Sequence, residues 1–285
     1  MSASALSEQL LDAVEEDNER LTEELLGRGV NINSKDWDGR TPLHLASNNG
    51  NVRIVNLLLE RGAIVESRNN EGDTPIIVAC KNHHLAVVRT LLDAGADANS
   101  KDEHGWTPIH SACRGPIEIT RLLIKNGADV NARNYLGFSP LCLLSSHVSE
   151  DVDTIKLLIK SGAQVDITTN SGKTPLYEAC RARRVRVAEA LLDAGANPNS
   201  EDRTGVTPLA LMRKNKATFS DLIERITEEE ARGRGRSRGR GRSRGRSGSR
   251  GSSRPRGRSG SRGRSRSSTV SFGGSKNTRK FYKKY

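Results

Sequence analysis

Histidine and cysteine are the side chains here that could bind a metal ion or act as nucleophiles, but their spacing suits neither chemistry. The adjacent pair His83 and His84 cannot chelate one ion from a helix, because only side chains three or four residues apart share a helical face. The cysteines include no Cys-x-x-Cys pair, so neither a zinc site nor a disulfide framework is indicated. These cysteines are Cys80, Cys113, Cys142 and Cys180. Because the sequence also shows no phosphate-binding glycine loop, paired-carboxylate frame or nucleophile elbow, we expect no enzymatic activity, cofactor or small-molecule substrate.

Phosphate binding is a second possible chemistry, and the arginines near the C-terminus could perform it. From Arg232 to Tyr285 there are 16 Arg, 4 Lys and no acid, so the formal charge of this segment is +20. The whole chain carries +12, which leaves −8 for residues 1–231. Arginines that alternate with Gly and Ser can follow a phosphate chain and stack on bases with little sequence selectivity. The candidate RNA-binding residues are Arg232, Arg234, Arg236, Arg238, Arg240, Arg242, Arg244 and Arg246.

We predict that residues 231–285 form a disordered basic tail, because so few of them are apolar that burial cannot offset the entropy of ordering the backbone. The tail resembles the RGG and RS segments of RNA-associated proteins, and this resemblance implies contact with RNA. Three other roles stay open: a solubilising tail, a nuclear-targeting cluster, and a clamp on the acidic N-terminal region. In that region, residues 1–25 hold eight acids and a single Arg.

The N-terminal residues lack the basic and apolar stretches of a secretory signal, and no apolar run is long enough to span a membrane. We therefore expect an intracellular protein of the nucleus, the cytoplasm or both, with no membrane association.

The elements that must position these residues follow from an internal repeat of about 33 residues. Six segments share a Gly-x-Thr-Pro pattern, with Ser replacing Thr once, and their prolines lie 33, 33, 32, 35 and 33 residues apart. The glycine suits a tight turn, the Thr or Ser caps a helix, and the proline occupies the first helical position. In the first five of these units a second apolar stretch follows and ends at Gly-Ala. The six prolines are Pro42, Pro75, Pro108, Pro140, Pro175 and Pro208.

These strings resemble the ankyrin repeat family, most closely in Thr-Pro-Leu-His at 41–44, Thr-Pro-Ile-His at 107–110 and Gly-Ala-Asp-Val-Asn at 127–131. The resemblance implies an all-α solenoid with short β-hairpin or turn fingers, followed by the disordered tail. It also implies structural roles for His44 and His110. The predicted solenoid spans 5–230, with an N-terminal cap at 6–38, repeats at 39–71, 72–104, 105–136, 137–171 and 172–204, and a C-terminal cap at 205–227.

Three residues replace the glycine that usually ends the first helix, namely Asp17, His83 and Arg183, and each must adopt a left-handed backbone. Cys80, Cys113 and Cys180 each lie six residues after the repeat Thr, on one predicted buried face. Stacked helices are about 8–10 Å apart, which is too far for a disulfide between these thiols.

In ankyrin repeat proteins the residues beside the turn glycine project from the stack, and here several of them are aromatic. We predict that these residues bind a protein partner, because aromatic side chains dominate interface hot spots. Packing between neighbouring fingers remains the alternative for Tyr135 and Phe138. A basic ridge of Arg181, Arg183, Arg184 and Arg186, with Lys173 and Arg213–Lys214 nearby, could face an acidic partner or could be solvated only. The candidate protein-binding residues are Trp37, Arg40, Asp73, Trp106, Tyr135, Phe138, Arg181 and Arg184.

These features together predict a monomeric, non-enzymatic adaptor that holds a protein on its concave and finger face while the tail contacts RNA or an RNA–protein assembly. The alternative is a protein-only inhibitor or a ubiquitin-ligase substrate-recognition module whose tail serves localisation.

Overall fold

A computed structural model describes residues 3–147 and 151–240, with side chains described for residues 4–147 and 151–232. These residues form fourteen α-helices, and the fingers between helix pairs are turns that contain no β-strand in the described ranges. The helices are α1 (Ala3–Glu15), α2 (Glu19–Gly27), α3 (Pro42–Asn49), α4 (Val52–Glu60), α5 (Pro75–Lys81), α6 (Leu85–Asp93), α7 (Pro108–Ala112), α8 (Ile117–Lys125), α9 (Pro140–Ser146), α10 (Val152–Lys160), α11 (Pro175–Arg181), α12 (Val185–Asp193), α13 (Pro208–Lys214) and α14 (Lys216–Arg240).

The first helix of each repeat begins where the sequence predicts, at the proline that follows Thr or Ser. The N-cap residue has an extended backbone, as at Thr174, whose Oγ1 accepts a hydrogen bond from the backbone N–H of Tyr177 at 3.1 Å. Ser139 performs the same role for the N–H of Cys142 at 3.2 Å. One unpaired helical donor is thereby satisfied, and the proline needs no partner at this position.

The left-handed residues predicted at the helix–helix turns are confirmed. Gly50 has φ of 81°, while Asp17, His83 and Arg183 have φ of 54°, 62° and 59° at the equivalent position of their repeats. Three repeats therefore make this tight turn without glycine.

Consecutive first helices pack side by side, and the second helices form an outer layer against them. The core between the layers is continuous through the repeats and consists of Leu, Ile, Val, Ala and Cys side chains. The four cysteines are free and buried, which confirms the prediction. Burial raises the pKa of Cys113 and of Cys180 to about 12 and that of Cys142 to about 11, so these thiols are protonated at neutral pH.

Helix pairs also close both ends of the helical stack. α1 and α2 pack against α3 and α4 at the N-terminal end. At the C-terminal end, α14 is kinked at Phe219 and buries Phe219, Leu222 and Ile226. No helix in the described ranges is both long and apolar enough to cross a membrane.

The backbone of α14 is helical to Arg240, past residue 231 where the sequence places the start of the tail. An ion pair between Arg232 and Glu228, one helical turn apart at 3.3 Å, supports the helix at that point. The rest of the predicted tail, residues 241–285, lies outside the described residues.

Candidate protein-binding site

Each finger is organised by a polar side chain three residues before its turn glycine. In the third finger, Asp102 Oδ1 accepts hydrogen bonds from the backbone N–H groups of His104 and Trp106, both at 2.8 Å. The turn glycine Gly105 has φ of 77°. Such Asx turns have a recognisable sequence signal, which is an Asp or Asn three residues before a turn glycine. Equivalent bonds are made by Asp36, Asn69, Asn134, Thr169 and Asp202.

Two histidines connect the fingers to the stack. His110 Nδ1 accepts from the backbone N–H of Thr107 at 3.1 Å, so the ring proton lies on Nε2, which donates to the carbonyl of Phe138 in the next finger at 3.1 Å. His44 makes the same contacts with Thr41 and with the carbonyl of Asp73. Burial lowers the pKa of both rings to about 4, which keeps them uncharged at neutral pH. The structural role that the ankyrin resemblance implies for these histidines is confirmed.

The four predicted aromatic residues fall into two separate rows. Trp37 and Tyr135 lie two residues before a turn glycine, in what we call the tip row. Trp106 and Phe138 lie one residue after a turn glycine, in the groove row.

Tip-row residues cover the turn of the preceding finger. The Tyr135 ring lies over Gly105, where an added Cβ would approach Tyr135 Cδ1 to 2.8 Å. Tyr135 nonetheless keeps 67% of its surface exposed. Trp37 belongs to the first finger, so it has no earlier turn to cover and is 83% exposed. Because three repeats separate these residues, the structure does not bring them together.

The groove row, in contrast, places two aromatic residues at equivalent positions of consecutive fingers. The Trp106 ring meets the His110 ring edge-on, with centroids 5.7 Å apart, and His110 donates to the backbone of Phe138. Trp106 and Phe138 are both half-buried. The Trp106 ring therefore supports its finger through His110, and both side chains keep part of their surface exposed.

Arg40 and Asp73 are also groove-row residues, and both are engaged within the protein. Asp73 is only 3% exposed, and its carboxylate accepts from Lys81 Nζ at 2.7 and 2.8 Å. Arg40 Nε donates to Asp36 Oδ2 at 2.7 Å. Their side chains thus help to hold the fingers in place.

The residues of the predicted basic ridge lie in two separate parts of their repeat. Arg181, with 49% of its side chain exposed, pairs with the buried Glu178 at 2.7 Å on the first helix of its repeat. Arg184 is half-buried at the start of α12, and its Nε is buried without a hydrogen-bond partner in the described residues. Arg183 and Arg186 are exposed beside it.

Of the candidate RNA-binding residues, only Arg232 has a described side chain, which is exposed and paired with Glu228. Arg234, Arg236, Arg238 and Arg240 have a helical backbone within α14. Arg242, Arg244 and Arg246 lie outside the described residues. Where side chains are described, no group of three or more His, Cys, Asp or Glu residues is arranged to hold a metal ion.

Comparison with known protein families supports the repeat assignment. The family described as "Ankyrin repeats (3 copies)" matches residues 10–102 and 133–202, and the single "Ankyrin repeat" family matches residues 104–135. Human neurogenic locus notch homolog protein 4 is 55% identical over 42 residues, which are 15% of this chain and 2% of that protein. Human SH3 and multiple ankyrin repeat domains protein 2 is 33% identical over 66 residues, 23% of this chain and 4% of that protein. The chain thus aligns with only a small part of either relative.

Solved structures show the same architecture over most of the chain. The human ASB11 ankyrin repeat domain has a TM-score of 0.65 and 32% identity, covering 71% of this chain and 90% of that domain. The ankyrin repeat domain of Bcl-3, a member of the IkappaB protein family, has a TM-score of 0.64 and 27% identity, covering 71% of this chain and 92% of that domain. The family match spans more than half of the sequence, and the Thr-Pro turns, paired helices and stacked fingers agree with it: this chain belongs to the ankyrin repeat proteins.

Proposed function

We propose that this protein is a non-enzymatic adaptor whose concave, finger-bearing face binds a protein and whose basic tail contacts RNA or an RNA–protein assembly. The observation that carries the protein-binding part is the pair Trp106 and Phe138 in the groove row. Ankyrin repeats act as protein-interaction scaffolds, and half-buried aromatic side chains in a concave surface supply the anchors that such interfaces use.

Energy considerations support this pair as an anchor. Each ring is already partly held by the fold, as the contact of Trp106 with His110 illustrates, so little side-chain entropy is lost when a partner covers it. Exposed Trp37 and Tyr135 offer additional area at the finger tips, but they stand too far apart to form one contact patch with each other.

The RNA part of the proposal rests on the charge of the C-terminal segment. Residues 232–285 carry +20, whereas the preceding residues carry −8, so a polyanion is attracted to one part of the chain and repelled by the other. The Gly and Ser spacers allow successive guanidinium groups to follow a single strand.

Affinity purification with four proteins tests both parts. The proteins are the full chain, residues 1–231, full-length Trp106→Ala/Phe138→Ala, and full-length Ile64→Ala as a control at an exposed apolar residue outside the candidate site. Each is used with and without RNase. We expect one set of protein partners to survive both RNase and loss of the tail and to be lost with the groove-row variant. A second set should require the tail and intact RNA.

The protein-binding proposal is wrong if the groove-row variant, folded as judged by its thermal unfolding, retains every RNase-resistant partner. The RNA proposal is wrong if removal of residues 232–285 leaves the RNase-sensitive partners unchanged. In that case the tail would have a role in localisation or solubility.

A further inference from the structure

The concave face of the stack can be divided into three rows of side chains, because each repeat contributes equivalent positions. The groove row lies one residue after each turn glycine. The middle row lies four residues after the repeat Thr or Ser, and the upper row lies seven residues after it. The groove row is Arg40, Asp73, Trp106, Phe138, Lys173 and Val206; the middle row is Leu45, Val78, Ser111, Leu143, Glu178 and Leu211; the upper row is Asn48, Lys81, Arg114, Ser146, Arg181 and Lys214.

Two ion pairs show that these rows adjoin on one surface. Asp73 of the groove row meets Lys81 of the upper row at 2.7 Å, so the finger of that repeat reaches the far end of its first helix. Glu178 of the middle row meets Arg181 of the upper row at 2.7 Å. The three rows therefore belong to one face, and a molecule that lies along it meets those members that are exposed.

The charge on these rows is opposite to that of the rest of the solenoid. The eighteen positions hold six Arg or Lys residues and only two acids, although residues 1–231 as a whole carry −8. Both acids, Asp73 and Glu178, are almost fully buried and already paired with cations. The accessible charge of the concave face is therefore positive.

The cations are concentrated toward the C-terminal repeats. Lys173 is half-buried, with its Nζ 5.5 Å from the centre of the Tyr177 ring, and Lys214 is exposed at the end of α13. Neither lysine forms an ion pair with a described side chain. Both ammonium groups can therefore accept a carboxylate without breaking an ion pair, because the partner of Lys173 is the face of an aromatic ring.

Apolar surface lies beside this charge, in the middle of the face. Trp106 and Phe138 of the groove row and Val78 and Leu143 of the middle row are all partly exposed. They belong to the second, third and fourth fingers and helix pairs, next to the repeat that carries Lys173. The face thus presents an aromatic and aliphatic patch followed by basic residues.

We propose that the concave face binds an acidic segment of a partner protein, with a bulky apolar side chain on Trp106 and Phe138 and carboxylates on Lys173 and Lys214. This inference rests on the proposed protein-binding function and names the chemistry of the ligand. Successive first helices are about 8–10 Å apart, and an extended chain advances about 3.3 Å per residue. Acidic side chains about three residues apart therefore match successive repeats.

The composition of the face favours a peptide over a nucleic acid. Four of the six middle-row residues are apolar, and the remaining two are Ser111 and the buried Glu178, so this row offers a phosphate chain no cation. Nucleic-acid interfaces are far more densely positive, and the net negative charge of residues 1–231 opposes a polyanion at long range.

The test is a selection of short random peptides displayed against the immobilised full chain. Counter-selection on a synthetic peptide of residues 232–285 removes peptides that bind only the tail, without selecting for or against the two lysines. Selected peptides are then measured against the wild-type chain, Lys173→Gln/Lys214→Gln, Lys214→Gln alone and Trp106→Ala/Phe138→Ala. The matched control is Lys125→Gln/Lys160→Gln, which removes the same charge from exposed positions at the ends of the outer helices α8 and α10.

We expect enriched peptides to be rich in Asp and Glu around a large apolar residue. Loss of both concave lysines should weaken binding by about tenfold or more, whereas the control pair should change it little. Because Lys214 is exposed, its single variant should fold normally and still show a weaker, measurable loss.

Three results would overturn the inference. One is a set of neutral or basic peptides that depend on Trp106 and Phe138, which would leave the proposed protein-binding face intact. A second is equal binding to the concave and control lysine variants. The third is a single-stranded RNA that loses as much affinity as the peptides on Lys173→Gln/Lys214→Gln, which would make the face a phosphate-binding surface.

Discussion

At the scale of single residues, His44 and His110 show how one side chain connects two repeats. Each ring accepts a backbone N–H of its own repeat and donates to a carbonyl of the next finger. Only the uncharged ring can do both, because a protonated Nδ1 can no longer accept. The geometry and the burial of the ring therefore act together to keep its pKa near 4.

This arrangement predicts that the solenoid loses stability as pH falls from 7 to 5. The two histidines take up protons near pH 6.5 in the unfolded chain but only near pH 4 in the folded one, so the unfolded state binds more protons in between. The two histidines contribute their full stabilisation above about pH 6.5. By pH 5 the free energy of unfolding has fallen by about 2 kcal/mol for each histidine. Urea unfolding at pH 7 and at pH 5 measures this difference in the free energy of unfolding.

The matched variants for this measurement are His44→Gln/His110→Gln and His104→Gln, the latter at an exposed finger position. The double variant should be less stable at pH 7 but should lose about 4 kcal/mol less than the wild type between pH 7 and pH 5. His104→Gln should keep the wild-type pH dependence. Equal pH dependence in all three proteins would contradict the proposed linkage.

At the scale of helices, each repeat is stable mainly through its neighbours, so the end helices protect the rest. The C-terminal end depends on the short apolar stretch of α14, where Phe219 is 1% exposed and Leu222 and Ile226 are also buried. The helix continues beyond these residues, but Ile226 is its last buried apolar side chain.

We therefore expect Phe219→Ala to lower the free energy of unfolding by about 3–5 kcal/mol, as truncation of a buried aromatic side chain does. Thr218→Ala, at the exposed neighbouring position, should change it by less than about 0.5 kcal/mol. Chemical denaturation of the full chain measures both variants. Similar stabilities for the two would show that α14 does not close the stack.

At the scale of the whole molecule, opposite charges are separated along the sequence. Residues 1–231 carry −8 and residues 232–285 carry +20, while the concave face of the acidic part is itself basic. Under the two proposals made above, this distribution provides two different binding regions for anionic ligands. One has apolar anchors and a fixed spacing of cations, and the other offers a high density of arginine without a described geometry.

The proposed contact between the tail and RNA should depend strongly on salt concentration. If residues 232–285 bind single-stranded RNA, the logarithm of affinity should fall linearly with the logarithm of salt concentration, by about 0.7 for each phosphate contacted. Lys173→Gln/Lys214→Gln should not change this slope, whereas deletion of residues 232–285 should abolish the binding. Fluorescence anisotropy with labelled homopolymeric RNA measures the slope, and an affinity that does not vary with salt would rule out the tail as an RNA-binding segment.

Much of the fold could be derived from the sequence because its determinants are local. Gly, Thr and Pro at fixed positions specify a turn, a cap and a helix start, and the structure confirms the helices that begin at Pro42 and Pro175. The buried thiols and the left-handed residues at Asp17, His83 and Arg183 also follow from repeat register alone. The same local pattern recurs about every 33 residues, so one correct alignment of the repeats predicts the equivalent features of each.

Only the tertiary structure decided which candidate side chains are available to a partner. The sequence places Trp37, Tyr135, Trp106 and Phe138 beside turn glycines, but whether each is exposed depends on how its finger packs against the first helix and against adjacent repeats. Trp37 is open because no finger precedes it within the described residues, and Trp106 is half-covered because it packs on His110. The carboxylate of Asp73 is buried and forms an ion pair with Lys81, eight residues later. Exposure and pairing are properties of the contact between elements, and the spacing of residues along the sequence does not specify which side chains meet in the folded protein.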